Sequence, residues 1–164
     1  MAVKNGAWTT PLKLTLTAGT NAPDWDLTGS TGVYIGLASA LADEANFDQT
    51  TTAYTTYTGG TWGITELSTS GGYTAAGIAL PTPSWATAGA STGQLIYTAG
   101  AAVWTSSGGG FTLNPGGMFV YSNNATTKYM MFQLVFTGGP YTASGGGTFT
   151  VTPPAAGMVT LTVK

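Results

Sequence analysis

The chain contains no cysteine, no histidine and no arginine, and only 6% of its residues are charged. The absence of cysteine excludes disulfide frameworks and thiolate metal sites. Without these three residue types, the chain also lacks the commonest general base, the best nucleophile and the bidentate clamp for an oxyanion. We therefore expect a non-enzymatic protein that uses no cofactor.

The positive charges are equally few. Four lysines, against six carboxylates, give a net charge of −2. Proteins that bind nucleic acids or anionic membranes need a basic patch, and none can be built from so few lysines. No apolar run approaches the ~20 residues of a transmembrane helix, and residues 1–10 lack the layout of a signal peptide. We expect no nucleic-acid or membrane partner and synthesis in the cytoplasm.

Threonine is the most frequent residue, and 25 glycines and 8 prolines accompany a hydrophobic content of 43%. Threonine, tyrosine and valine favour strands, while glycine and proline favour turns. Short strands at spacings of about 8–12 residues are typical of sandwiches. The sequence predicts an all-β fold, a single antiparallel β-sandwich or jelly-roll-like domain with long loops. Residues 1–10 are predicted to be an extended N-terminal arm, and residues 11–164 to be the sandwich.

Two glycine pairs are predicted to open strands by turning the backbone through positive φ. Gly71-Gly72 precedes a predicted strand over 72–80, which the prolines at 81 and 83 end. Gly116-Gly117 precedes a strand over 118–122 that forms a hairpin with 129–137. Because 129–136 is apolar on both faces, it is predicted to be a central strand.

Other strands are read from alternating apolar residues. Val33, Ile35 and Leu37 mark one face of a strand. Two short strands are predicted around the turn at Ala99-Gly100, and residues 149–151 and 159–163 are predicted to be the closing pair.

Six carboxylates are the candidates for chemistry. Asp24 and Asp26 could form the two-carboxylate dyad of a glycoside hydrolase, but a solvated loop with an Asx turn explains them better. Asp43, Glu44, Asn46 and Asp48 could gather around calcium. A helical turn capped by Ser39 and running to Ala45 explains most of that cluster.

Glu66 is predicted to accept backbone hydrogen bonds at the Gly71-Gly72 corner. Glycine clusters 108–110 and 145–147 are read as turns, because neither has the phosphate-loop pattern.

Aromatic residues in loop-like segments are the candidates for binding. Trp25, Tyr54, Tyr57 and Trp62 could form a carbohydrate platform if they lie exposed in a row. Packing in the core or at a subunit interface is the favoured alternative. The polar loop 46–60 is long for a compact domain, which favours contact with a partner.

The run from Glu66 through Ser70-Gly71-Gly72-Tyr73-Thr74 to Leu80 resembles a motif of small virion proteins of tailed bacteriophages. In that motif an acidic residue precedes Gly-Tyr-Thr and a strand. Residues 102–111, 118–123, 144–151 and 157–162 resemble later parts of the same proteins in order. Two features depart from the pattern: Ala75 stands where a basic residue is common, and the 123–128 and 137–144 connections are longer.

The resemblance implies a virion structural protein, and we expect a capsid decoration (cement) protein on the outer surface of the phage head. Its implied partners are the major capsid protein and copies of itself, with a trimer as the expected oligomer. The expected contact residues are Trp8, Tyr54, Tyr57 and Trp62. The alternative is a tail or fibre component, or a module that binds carbohydrate or the host surface.

Overall fold

The fold is taken from a computed structural model that describes residues 6–7, 32–41, 64–87, 94–114, 116–123, 128 and 130–162. These residues form strands and turns without any helix, and their strand pairs are antiparallel. The all-β antiparallel prediction is therefore confirmed. Most of the predicted arm and the whole 46–60 loop lie outside the described residues.

The described part of the chain contains thirteen strands. Their bounds are β1 (Gly6–Ala7), β2 (Val33–Ala40), β3 (Thr65–Glu66), β4 (Ile78–Ala79), β5 (Ser84–Thr87), β6 (Gln94–Thr98), β7 (Ala102–Thr105), β8 (Phe111–Leu113), β9 (Gly117–Ser122), β10 (Met130–Val135), β11 (Tyr141–Ala143), β12 (Thr148–Val151) and β13 (Val159–Thr162).

The largest sheet has six strands in the order β1-β10-β9-β2-β3, with β4 also paired to β2. Strands β2 and β9 pair from Val33, opposite Ser122, to Ala38, opposite Gly117. The other edge of β2 carries β3 at one end and β4 at the other. Residues 67–77, which connect β3 to β4, therefore form a corner at the edge of this sheet. Strand β10 lies between β1 and β9, as predicted for a central strand.

A β-bulge in β10 changes which face its side chains occupy. The register shifts between Met130, opposite Tyr121, and Phe132, opposite Val120. Residues two apart normally share a face of a strand, but the extra residue Met131 interrupts that alternation. As a result, Met130 and Phe132 pack in different hydrophobic clusters. Both clusters are hydrophobic, which explains why this strand reads as apolar on both faces.

Three smaller sheets complete the fold. Strand β7 pairs with β12 and β8 with β11, which are distant in sequence, whereas β6 pairs with its neighbour β5 and with the distant β13. The strands predicted on either side of Ala99-Gly100 are present, but they belong to different sheets rather than to one hairpin. The backbone nitrogen of Gly100 donates to the carbonyl of Pro81, 2.7 Å away, which ties this turn to another loop. The two closing strands likewise pair with β7 and β6, not with each other.

The main core lies between the large sheet and the smaller ones. Val33, Ile35 and Leu37 of β2 are fully buried in it, as the alternating pattern predicts. The smaller sheets supply the facing side chains, among them Tyr97, Trp104, Phe111, Leu113, Ala143 and Val151. Two layers that share one core fit the predicted sandwich.

The opposite face of the large sheet is also buried. A second cluster there contains Ala38, Leu41, Ile64, Phe119, Tyr121 and Met130. A Cβ atom at Gly36 would lie 2.3 Å from Cζ of Phe119, so the aromatic ring occupies the space that a side chain would need. Strands β2 and β9 are therefore interior on both faces.

The two glycine pairs serve different purposes. Gly71 and Gly72 have φ of +58° and +95°, which confirms the predicted positive-φ turn. The same prediction is wrong for Gly116 and Gly117, because neither has positive φ. Those two glycines are needed for close approach instead. A Cβ atom would lie 1.9 Å from the Ala38 carbonyl oxygen at Gly116, and 2.2 Å from that of Leu134 at Gly117.

Two predicted elements are corrected by the structure. The strand predicted over 72–80 is only Ile78–Ala79, because Ala76 and Gly77 have φ of 75° and 69° and interrupt any longer strand. The predicted stop before Pro81 is confirmed. Ser39 does not cap a helical turn: it lies within β2, and its Oγ donates to the carbonyl of Thr65 at 3.2 Å. Residues 42–45 of the predicted turn lie outside the described residues.

Candidate functional site

The motif that carries the resemblance folds into the corner between β3 and β4, here called the Glu66 corner (residues 66–77). At its centre is a tight turn, residues 70–73, in which the Ser70 and Tyr73 backbones exchange hydrogen bonds of 3.1 and 2.9 Å. Gly71 and Gly72 occupy the two central positions, and positive φ at both is the geometry of a type I′ turn. The turn reverses the chain and directs the Tyr73 side chain inward.

Tyr73 connects this corner to the large sheet. Its side chain is 1% exposed and packs near Trp104 and Phe111, at ring-centroid distances of 6.3 Å for each. The hydroxyl accepts a hydrogen bond from the Leu37 backbone nitrogen at 3.0 Å. It donates in turn to Oε1 of Glu66 at 2.8 Å. The buried phenol is thus satisfied from both sides, as a polar group in a core must be.

Glu66 closes the corner by accepting a second hydrogen bond. The backbone nitrogen of Ala76 donates to the same Oε1 atom at 2.7 Å. This confirms the prediction that Glu66 accepts backbone hydrogen bonds at the corner. The carboxylate also holds Ala76 in its φ of 75°, a conformation that residues other than glycine adopt at a cost. These contacts describe a structural carboxylate.

Tyr121 supports the corner from β9. Its hydroxyl donates to the carbonyl of Ala76 at 2.7 Å. The backbone nitrogen and the carbonyl of Ala76 therefore both have a hydrogen-bond partner. The Tyr34 ring lies 5.8 Å from the Tyr121 ring, and Nζ of Lys128 lies 5.8 Å from its centroid. Burial raises the pKa of Tyr121 above its usual range, and the charges of Glu66 and Tyr34 raise it further.

Most of the residues that the sequence predicts to make contacts or to carry chemistry lie outside the residues that the structure describes. Trp8, Tyr54, Tyr57 and Trp62 lie outside it, so their contact role stays a prediction. The same holds for the Asp24 and Asp26 dyad and for the calcium cluster of Asp43, Glu44, Asn46 and Asp48. Within the described residues, no group of three or more metal-binding carboxylates is present. Those residues also contain no helix long and apolar enough to cross a membrane.

The structure shows a second feature, an open cleft of about 330 Å³ between the end of β10 and strand β12. We call it the Tyr141 cleft; its lining residues are Val135, Phe136, Thr137, Tyr141, Phe149, Thr150, Val151 and Thr152. All of them are uncharged. The Phe136 ring lies 5.9 Å from the Tyr141 ring and 6.1 Å from the Phe149 ring, which makes a continuous aromatic wall. The three threonines are exposed.

The loop before Tyr141 shapes this cleft. Gly138 and Gly139 have φ of 94° and 105°. With these backbone angles, the loop packs against the Tyr141 ring. The hydroxyl of Tyr141 donates to the carbonyl of Thr137. Sequence reasoning missed the cleft, because Phe136 and Phe149 read as ordinary strand residues. The signal that could have found it is the Gly-Gly-Pro run immediately before an aromatic residue.

Comparison with known proteins adds no further guidance. No protein-family model, no curated protein and no solved structure matches this chain. The function is therefore argued from the residues and their geometry.

Proposed function

We propose that this chain is a non-enzymatic structural protein of a phage virion, a decoration protein that binds the outer surface of the head and stabilises it. The observation that carries the proposal is the low charge of the chain, in which only 6% of the residues are charged. The charged side chains in the part that the structure describes are Glu66 and Lys128. Glu66 is bound within its own corner, and Lys128 lies over the Tyr121 ring.

A protein with so few charged side chains has little electrostatic repulsion to keep its copies dispersed. The two-stranded sheet of β7 and β12 illustrates this, because its outward residues are Val103, Thr105, Thr148 and Thr150. Val103 is 47% exposed. Neighbouring subunits that cover such faces remove apolar area from water without any charge to desolvate. This supports a working state in which copies of the chain, or the shell protein, cover it.

The likeness to small virion proteins points in the same direction. The residues that carry it build the Glu66 corner, where Glu66, Tyr73 and Ala76 satisfy one another. Because the polar groups of this motif form hydrogen bonds with one another, we infer that the motif stabilises the fold and takes no part in a reaction. On this proposal the partners are the major capsid protein and other copies of the chain, as a trimer, in the assembled virion.

Fractionation of purified virions into heads and tails, followed by mass spectrometry of the 16.6 kDa protein, tests the proposal. Decoration predicts hundreds of copies with the heads and none with the tails. Heads that lack the protein should then lose their DNA at a lower temperature. Recovery with tails at a few copies would replace the proposal with the tail or fibre alternative. Heads that are equally heat-stable without the protein would contradict the stabilising role.

The predicted contact residues provide the next step. Trp8→Ala and Tyr57→Ala should weaken binding of the purified protein to undecorated heads, because both are proposed anchors at the interface. Ser68→Ala, at an exposed position in the Glu66 corner, is the matched control. Equal binding by all three variants would show that the contacts lie elsewhere on the protein.

A further inference from the structure

We propose that the Tyr141 cleft binds a ring of a neutral polysaccharide. The walls combine the partly exposed rings of Phe136, Tyr141 and Phe149 with the exposed hydroxyls of three threonines. A sugar ring has the matching chemistry, since its C–H face packs on aromatic rings and its hydroxyls exchange hydrogen bonds with threonine. No lining residue carries charge, so an acidic or basic ligand would lose hydration without gaining an ion pair.

Size favours one or two sugar units over a longer ligand. The volume of about 330 Å³ lies at the lower end of the ~300–1,000 Å³ of small-molecule sites. Four consecutive residues, 149–152, line the cleft, although successive side chains of a strand point to opposite faces. The cleft therefore runs beside the edge of β12, and β7 occupies the other edge. Backbone groups at this edge add donors and acceptors for sugar hydroxyls.

The aromatic wall is already fixed without a ligand. The Tyr141 hydroxyl is bound to the Thr137 carbonyl, and Phe136 meets the Tyr141 ring at an interplanar angle of 74°. A Cβ atom at Gly139 would lie 3.2 Å from Cδ2 of Tyr141, which shows how closely the loop approaches this ring. A fixed ring loses little conformational entropy when a ligand binds, so even a small contact area gives measurable affinity.

The test is a titration of the isotope-labelled full chain with neutral sugars, followed by the backbone amide shifts in NMR spectra. The probes are methyl glucoside, methyl galactoside, N-acetylglucosamine, maltose and cellobiose, with glycerol as a polyol that has no ring. We expect saturable shifts at Thr137, Thr150 and Thr152 with at least one sugar, tighter binding of a disaccharide than of its monosaccharide, and no saturation with glycerol.

Variants of Tyr141 separate the ring from the hydroxyl. Tyr141→Ala should weaken binding about tenfold or more, as expected when an aromatic contact of about 1.5 kcal/mol is lost. Tyr141→Phe retains the ring but loses the hydroxyl contact that fixes it, and should weaken binding less than Tyr141→Ala does. Ser68→Ala, which is exposed in the Glu66 corner and does not line the cleft, is the control and should bind normally.

Three results would overturn the proposal. The first is the absence of saturable shifts with every sugar at its solubility limit. The second is saturable shifts that leave Thr137, Thr150 and Thr152 unchanged. The third is shifts at these residues on raising the protein concentration alone, which would make a second copy of the chain the occupant. Thr150 belongs both to the cleft and to the outward face of β7 and β12. Sugar binding is therefore measured on the isolated chain, and its outcome does not decide the decoration role.

Discussion

Glu66 and Tyr73 are joined by a hydrogen bond of 2.8 Å between Oε1 and the phenol hydroxyl, and this contact closes the Glu66 corner onto the large sheet. The same hydroxyl accepts from the Leu37 backbone of β2, and the same carboxylate oxygen accepts from the Ala76 backbone. One side-chain pair thus connects β2 to both halves of the corner. Its removal is expected to affect the stability of the fold rather than a chemical step.

Glu66→Ala should lower the free energy of unfolding by about 2–4 kcal/mol, because the Tyr73 hydroxyl and the Ala76 nitrogen both lose their acceptor. Glu66→Gln retains an oxygen that can accept these hydrogen bonds and should cost about half as much. Urea denaturation followed by tryptophan fluorescence measures both values. Equal stability of Glu66→Ala and the original protein would contradict the structural role of this carboxylate.

Thr69→Ala is the matched control at the same corner. The Thr69 hydroxyl accepts from the Ala75 nitrogen at 2.8 Å, but this hydrogen bond is exposed to water. Since water replaces the lost partner, the variant should cost no more than about 1 kcal/mol. A larger loss than that of Glu66→Gln would indicate that the whole loop, and not the buried carboxylate, decides the stability.

Tyr73→Phe tests the other half of the pair. The ring keeps its packing near Trp104 and Phe111, while Leu37 and Glu66 lose a partner, so we expect a loss of about 1–3 kcal/mol. Tyr141→Phe also removes one hydroxyl, but from an exposed hydrogen bond, and should cost less than about 1 kcal/mol. Thermal unfolding by circular dichroism compares the two variants. A larger effect at Tyr141 would contradict the assignment of Tyr73 as the connection to β2.

Gly71 and Gly108 have nearly equal φ, +58° and +57°, but different surroundings. A Cβ atom at Gly71 would lie 1.9 Å from the Gly110 carbonyl oxygen, whereas one at Gly108 has nothing within 4 Å. Gly108→Ala should therefore cost only the left-handed strain, about 1–2 kcal/mol. Gly71→Ala adds a backbone clash and should cost at least about 2 kcal/mol more. Chemical denaturation of both variants gives the difference, and equal losses would show that strain alone matters.

Local sequence patterns predicted the strands well, and long-range pairing poorly. The alternation of Val33, Ile35 and Leu37 specifies the face of β2, because strand geometry places every second side chain on the same face. The partner of a short strand is set by packing across the core instead. Strand β7 pairs with β12, more than forty residues later in the chain. No local signal distinguishes that pairing from a hairpin.

The candidate sites also include one part that the sequence could predict and one that it could not. The role of Glu66 could be predicted, because a carboxylate next to a glycine turn has backbone donors within reach. The Tyr141 cleft could not, since it forms where the end of β10 meets the edge of β12 from a different sheet. The bulge at Met131 was equally hidden, because nothing in an unbroken apolar run reveals an inserted residue.

Alkaline pH should destabilise the protein through its buried tyrosines. Burial raises the pKa of Tyr97 and of Tyr121 above the usual value of about 10, so the folded chain keeps both phenols neutral. Their stabilising contribution is complete below about pH 10, where the unfolded phenols are also neutral. It is lost as the pH rises from there towards the folded pKa, by about 1.4 kcal/mol per pH unit for each phenol.

Urea denaturation between about pH 8 and pH 12 measures this loss. Tyr97→Phe and Tyr121→Phe should each reduce the slope of stability against pH above pH ~10, and the double variant should reduce it further. Tyr121→Phe also loses the hydrogen bond to the Ala76 carbonyl, which lowers stability by about 1 kcal/mol throughout that range. The slope therefore reports the buried phenol, and the constant offset reports the hydrogen bond. An unchanged slope in both single variants would mean that other tyrosines, or backbone loosening, control the alkaline transition.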